Sequence, residues 1–369
     1  MTEARYTPLR EHHEALGASF TDFGGWQMPV RYTSDLAEHH AVREAAGLFD
    51  ISHMAEFTVE GPESASYLDH ALSGRLSTMA IGKAKYSLLL ADNGGIIDDV
   101  IVYRMGEESF LIISNAGNRD AVAKALPERI GGRDVDVVDV SDDYALIAVQ
   151  GPASAVIVAG IAGVEDLSVA WGEQKYYAWA SARFAGEPLI IARTGYTGED
   201  GFELLVRAGD AVALWDAALA AGADHGLVPA GLAARDTLRL EAGMPLYGHE
   251  LSLDIVPAQA GLGRVVASDK DDFVGKAALE SNGAEGRVLI GLVAEGRRAG
   301  RAGYPVVTED GTVVGEISSG ALSPTLGHPI AMAFVDAGVA EDGTALFLDV
   351  RGTKIPATAT ALPFYRRKK

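Results

Sequence analysis

The chain has 369 residues, 48% hydrophobic and 22% charged, with a formal net charge of −20 and no cysteine. Its length predicts roughly two or three domains with ample core. The charge argues against nucleic acid and anionic membrane as partners, and the missing thiol removes disulfides, thiolate metal sites, iron–sulfur clusters and a cysteine nucleophile. Residues 1–30 lack a secretory pattern, and Asp216, Asp224 and His225 interrupt the alanine-rich run 211–234. With no unbroken apolar window of about 18 residues, a soluble, cytoplasmic protein is expected.

In chain order, residues 8–16 read as a short helix behind Pro8, and Phe23–Pro29 as a loop rich in aromatics and glycine. Ser34 or Asp35 caps a helix ending near Gly47. His40 and Glu44 share a face of it as a surface pair, with no further ligand spaced to complete a metal site. A strand at Glu56–Val59 precedes Gly61-Pro62, which opens a helix through Leu72. A three-stranded meander follows, Lys85–Leu90, Ile96–Arg104 and Ser109–Ser114. Asn115–Asn118 leads into a helix ending before Gly131. The decapeptide 146–155 then resembles 56–65, each a strand, a Gly-Pro break and a helix start, which suggests two related α+β modules.

Strands at 176–184, 188–193 and Phe202–Val206, with the loop Thr194–Gly201 between the last two, precede helices at 209–222 and 231–242. Beyond about residue 270, short β-type runs at 287–293, 304–307, 312–318, 330–335, 345–350 and 354–360 predict a small all-β sandwich or barrel. The basic clusters Arg297-Arg298-Arg301 and Arg366–Lys369 read as surface features.

Phosphate-loop, dinucleotide-binding, zinc-protease and serine-hydrolase motifs are absent, and three polar constellations remain. The first is Asp98-Asp99, set into a β-branched strand where carboxylates are costly. Strand alternation sends the two to opposite faces, and Tyr86 and Asn115 lie on the neighbouring strands. The second is Thr194–Glu203, a glycine-rich loop followed by a strand carboxylate, open to reading as a ligand-binding loop or as a hairpin connection. The third is the helix 231–242, where Arg235 and Arg239 share a face. It reads either as a surface ion-pair network with Asp236 and Glu241, or as a buried arginine seeking a planar partner.

Taken together these stretches resemble the aminomethyltransferase (T-protein) of the glycine cleavage system over essentially the whole chain. The resemblance is carried by Asp22–Pro29, His39–Arg43, Phe49–Met54, Gly94–Asp99, Ala148–Pro152, Thr194–Glu203, Gly231–Gly243, Ser318–Gly320 and Ser323–Gly327. It implies an α+β, three-domain cloverleaf around a central folate cavity, two α+β modules with antiparallel sheets plus a C-terminal all-β barrel or sandwich. The implied domains are 1–52 with 138–250, an inserted 53–137, and 268–369. The implied reaction moves the methylene carbon of an aminomethyl-lipoyl group on H-protein to tetrahydrofolate, releasing ammonia, with no metal. By resemblance Asp98 is the catalytic carboxylate, with Asp99 pointing the other way in a structural or hydrogen-bonding role. Glu203 and Arg235 bind the pterin, and Met54, Tyr86, Asn115 and Tyr196 line or support the pocket. The lipoylated H-protein is the implied partner, and the tail Arg366–Lys369 is a candidate for attracting an acidic partner or a polyglutamylated folate. The nearest rival is a folate-dependent demethylase of a small methylated sulfur or amine compound on the same scaffold.

Overall fold

The computed structural model of the chain describes residues 4–282 and 286–367. The chain separates into two compact units, Met1–Ser87 with Asp99–Arg235, and Leu88–Asp98 with Asp236–Lys369.

The first unit contains a seven-stranded sheet in the order Val164–Glu165, Trp179–Phe184, Glu187–Ala192, Gly201–Arg207, Tyr144–Gln150, Ala46–Asp50, Leu227–Pro229. All neighbours pair antiparallel except the last two strands, which run parallel. The helices Ser154–Ala159 and Ala211–Gly222 supply Ile157, Val158, Leu214 and Trp215 to the core of Leu48, Ile147, Val149, Phe202 and Leu204. Each such buried side chain stabilises the fold by about 1.5–3 kcal/mol relative to exposure.

The strand Ala46–Asp50 stands where the sequence predicted the end of a helix. A short, fully buried apolar run carries no periodicity to separate the two, and the helix, N-capped by Ser34 Oγ accepting from Ala37 N at 3.1 Å, stops at Glu44. Likewise Phe23–Pro29 is no loop. Ser19–Phe23 pairs with Trp26–Arg31 around Gly24 and Gly25, both at positive φ, as a two-residue hairpin turn requires. The predicted strand at 176–184 starts only at Trp179, because Tyr177 sits at φ +54°.

A five-stranded sheet runs in the order Ala84–Leu90, Ile96–Arg104, Ser109–Ser114, Ala55–Glu60, Asp136–Asp139. The repeated decapeptides adopt one conformation twice. Ala55–Glu60 and Tyr144–Gln150 each end at a glycine, Gly61 at φ +130° and Gly151 at φ +137°, before a helix beginning at Ser64 or Ser154. A Cβ would meet a backbone oxygen at 2.5 Å at Gly61 and 2.4 Å at Gly151, so glycine is required at both.

In the second unit, six antiparallel strands close into a barrel in the order Val288–Ala294, Pro329–Val335, Val313–Leu322, Pro305–Val307, Ala345–Val350, Thr353–Thr360, the last pairing back to the first. Its core is Leu292, Val306, Ile317, Ala333, Leu346 and Leu348. The α+β class, the antiparallel sheets and the C-terminal barrel thus agree with the sequence reading.

Arg239, 2% exposed, is no surface ion-pair residue. It donates to Glu250 Oε2 at 2.9 Å, Ser319 Oγ at 2.8 Å and Asp236 Oδ1 at 2.9 Å. Glu241 in turn accepts from Ser323 Oγ, Thr325 N and Thr325 Oγ1 at 2.5, 3.0 and 2.7 Å. Among the described residues no helix is long and apolar enough to cross a membrane. Lys368 and Lys369 of the basic tail lie outside the described residues.

Candidate functional site

On the strand Ile96–Arg104, Ile96, Asp98, Val100 and Val102 are all buried, whereas Ile97, Asp99 and Ile101 are half-buried. Asp98 therefore stands among core positions at 0% exposure. Asp99 lies on the opposite face, within the first unit. Its Oδ2 accepts from Tyr86 Oη at 3.1 Å and its Oδ1 from Asn115 Nδ2 at 2.7 Å, and Asn115 Nδ2 also reaches the Asp99 carbonyl at 3.2 Å. Tyr86 comes from Ala84–Leu90 and Asn115 follows Ser109–Ser114, the strands on either side of Ile96–Arg104. The expected convergence of Tyr86 and Asn115 on the carboxylate pair is present, and both hydrogen-bond to Asp99. Burial pushes the Asp99 carboxyl above its ordinary range, against the pull of its two side-chain hydrogen bonds. Burial and the neighbouring Asp99 charge push the Tyr86 phenol up as well.

Glu203 lies on the strand Gly201–Arg207, and its Oε2 accepts a short hydrogen bond from Thr194 Oγ1. Arg235, on the helix Leu232–Glu241, places its guanidinium carbon 4.9 Å from the centroid of the Tyr196 ring. Burial lowers the affinity of Arg235 for its proton and raises that of Glu203, while their opposite charges pull both back. Neither group is saturated. The Arg235 guanidinium donates to no described residue, and the Glu203 carboxylate accepts from Thr194 alone. Both residues are half-buried as a whole. The phenol of Tyr86 feels Tyr196 as well as Asp99, so the two clusters share one neighbourhood of the first unit.

The loop between Thr194 and Glu203 is held from behind. Gln150 is fully buried, donates from Nε2 to Thr194 O at 3.1 Å, and accepts at Oε1 from Thr197 Oγ1 at 3.0 Å. A Cβ on Gly195 or Gly201 would come within 2.0 or 2.3 Å of the Gln150 side chain. Gly195 and Gly201 thus make room for the Gln150 side chain, a packing role that neither sequence reading of the loop named. Arg43 adds bonds to Thr197 O at 2.7 Å and Glu199 Oε1 at 2.9 Å. The start of the Arg235 helix is tied down by Glu38, whose Oε2 accepts from Gly231 N at 2.9 Å and whose Oε1 accepts from Tyr32 N at 2.7 Å. Sequence reasoning passed over Gln150 and Glu38. The signal for Gln150 was an amide ending the apolar run Ala145–Val149; Glu38 carried none on an otherwise polar helix.

Met54 is half-buried and donates its backbone N–H to Ile51 O at 3.1 Å. Beside it His53, 2% exposed, packs edge-on against Phe23, with ring centroids 5.5 Å apart. Burial foremost, then the Arg235 charge, brings the His53 ring down to about 4, so it is neutral at pH 7. Among the described residues no group of three or more His, Asp or Glu side chains is arranged to hold a metal ion. The first unit therefore offers a half-buried carboxylate held by Tyr86 and Asn115, and an unsaturated carboxylate–guanidinium pair beside an aromatic ring. That set suits a planar ligand presenting donors and an acceptor along one edge.

The model of the GCVT N-terminal domain matches residues 9–270, and that of the glycine cleavage T-protein C-terminal barrel domain matches residues 287–366. The chain is 55% identical over 372 residues to a curated aminomethyltransferase of Cutibacterium acnes and 54% over 370 residues to one of Saccharopolyspora erythraea, covering 100% of each chain in both cases. Among solved structures it is similar to glycine cleavage system aminomethyltransferase T from Bartonella henselae, with 36% identity, a TM-score of 0.91 and complete coverage of both chains.

Proposed function

The chain belongs to the glycine cleavage T-protein family and is an aminomethyltransferase, and from that premise we propose how its residues carry the reaction. The substrates are tetrahydrofolate and the aminomethyl group on the lipoyl arm of H-protein; the products are methylenetetrahydrofolate, ammonia and the dihydrolipoyl arm. One observation carries the folate reading: Glu203 and Arg235 keep unused hydrogen-bonding capacity side by side, next to the Tyr196 ring. A pterin edge offers amide and amine N–H groups for the carboxylate and a carbonyl for the guanidinium. Tyr86, Asn115 and Met54 line or support the same pocket.

The reacting-site carboxylate in this reading is Asp99, replacing Asp98. Tyr86 and Asn115 orient Asp99, which stands on the half-buried face of its strand, while Asp98 occupies a core position. The folate nitrogen that attacks the methylene carbon is cationic until it loses a proton. Asp99 stabilises that charge, and its raised proton affinity suits it to pass the proton toward departing ammonia. The second folate N–H proton ends on the lipoyl sulfur, which balances the exchange. A demethylase on this scaffold would keep the folate residues and differ on the donor side, and the full-length relatives support the aminomethyltransferase over it.

The test is an assay with aminomethyl-lipoyl H-protein and tetrahydrofolate. Stoichiometric ammonia and methylenetetrahydrofolate, both dependent on the lipoyl arm, are expected. Turnover of a small methylated amine or sulfur compound, with none of the lipoyl substrate, would overturn the assignment.

A further inference from the structure

We propose that Tyr103 and Thr194 are positioning residues for Glu203, a one-way hydrogen-bond relay that holds one carboxylate oxygen and leaves the other for the pterin edge; this rests on the folate reading above. Tyr103 lies four positions beyond Asp99 on the strand Ile96–Arg104, Thr194 follows the strand Glu187–Ala192, and Glu203 pairs in register with Ala192. Tyr103 Oη lies 3.3 Å from Thr194 Oγ1, which makes the short bond to Glu203 Oε2. Tyr103 is 1% exposed and Thr194 3%.

Direction follows from proton count. An ionised carboxylate only accepts, so the single Thr194 hydroxyl proton goes to Glu203. Thr194 Oγ1 then has only lone pairs left, and Tyr103 must be the donor. Burial, reinforced by the Glu203 charge, keeps the Tyr103 phenol protonated and therefore always able to donate. Thr194 is the sole hydrogen-bond partner of the Tyr103 hydroxyl among the described residues, and Glu203 has no other side-chain hydrogen bond there.

The relay is also anchored. Gln150 Nε2 holds the Thr194 carbonyl, and the Gln150 side chain fills the space that Gly195 and Gly201 leave open. The main chain at Thr194 is therefore held in place. A phenol in a buried strand position where Phe or Ile would pack as well needs such a partner. Without the Thr194 bond, the part-buried Glu203 charge loses a donor that favours the anion. A protonated Glu203 would turn a donor toward pterin N–H groups that also donate.

The experiment measures tetrahydrofolate affinity for the full chain and for Thr194→Val, Thr194→Ser and Tyr103→Phe, each also in a Glu203→Ala background. It adds an infrared titration of the Glu203 carboxyl in ligand-free protein, identified by difference from Glu203→Gln. Thr194→Val is expected to weaken folate binding roughly tenfold and Tyr103→Phe roughly threefold, with the loss in KM for folate rather than in kcat. Thr194→Ser keeps the hydroxyl and restores affinity. In Glu203→Ala the Thr194→Val penalty should shrink to less than about twofold, since the relay acts only through Glu203. In ligand-free Thr194→Val the Glu203 carboxyl should titrate at higher pH than in the parent. Arg235, Tyr103 and Tyr177, the other titratable groups coupled to Glu203, are unchanged in that variant. An unmoved titration, or a Thr194→Val penalty undiminished in Glu203→Ala, would overturn the relay. A parent protein that binds no tetrahydrofolate would overturn the folate reading instead, and the infrared shift would still decide the relay.

Discussion

The Arg235 guanidinium stands over the Tyr196 ring at 4.9 Å and donates to no described side chain. Four residues further along the same helix, Arg239 is bonded to Glu250, Ser319 and Asp236. Two arginines at helical spacing thus differ: Arg235 donates to no side chain among the described residues, and Arg239 is consumed by the fold.

The open arginine makes binding sensitive to shape as well as charge. Arg235→Lys keeps the charge but loses the planar fork, and tetrahydrofolate affinity should fall by at least about tenfold, the value of roughly 1.5–3 kcal/mol for hydrogen bonds to a charged group. Tyr196→Leu should cost less, about 0.5–2 kcal/mol for the lost cation–π contact. Calorimetric titration with tetrahydrofolate checks both, and unchanged affinity in Arg235→Lys would remove Arg235 from the site.

Asp99→Asn preserves shape and the Tyr86 contact while removing the base. Turnover with aminomethyl-lipoyl H-protein should drop by about 10²–10⁴, with folate affinity within a few-fold of the parent. Asp98→Asn, in a core position, should register mainly as a lowered urea midpoint. If the two variants exchange these phenotypes, the reacting carboxylate is Asp98.

Glu203 pays for its readiness with stability. Its folded pKa is raised above the unfolded value of about 4.3. Folding stability is therefore highest below the unfolded pKa and declines as pH rises through the folded one. Glu203→Gln has no such decline. Urea melts should find the variant more stable than the parent at pH 7, with the gap closing below about pH 4. A gap that is the same at both pH values would mean that the charge is not its source.

Arg239 and Glu250 are 2% and 0% exposed and 2.9 Å apart. Arg239→Ala leaves a buried carboxylate unpaired and should cost about 3–5 kcal/mol in chemical denaturation. Arg239→Met with Glu250→Leu removes both charges and should recover most of that loss. Equal destabilisation of the single and double variants would show that the Glu250 charge is not what Arg239 offsets.

Much of the architecture was legible from local pattern alone. Alternating apolar residues and Gly/Asp turns beyond residue 270 predicted the strands that close the barrel, since a strand with one buried face carries its period in sequence. The repeated Val-x-Gly-Pro stretches predicted two equivalent strand-to-helix turns, because the positive φ at Gly61 and Gly151 is a local backbone demand. The strand Ala46–Asp50 and the hairpin Ser19–Arg31 were not legible as such. The first is buried on both faces, and the second depends on a two-glycine turn inside an aromatic stretch.

The sequence by itself determined that Asp98 and Asp99 face opposite ways and that Arg235 and Arg239 share a helix face, because both statements follow from the period of one element. It could not determine which distant groups each member of either pair meets. Tyr86 and Asn115 come from neighbouring strands to hold Asp99, and Glu250 and Ser319 come from 11 and 80 residues away to saturate Arg239. Whether a charge is left available depends on which distant donors and acceptors the fold carries to it, and only the tertiary structure decided that.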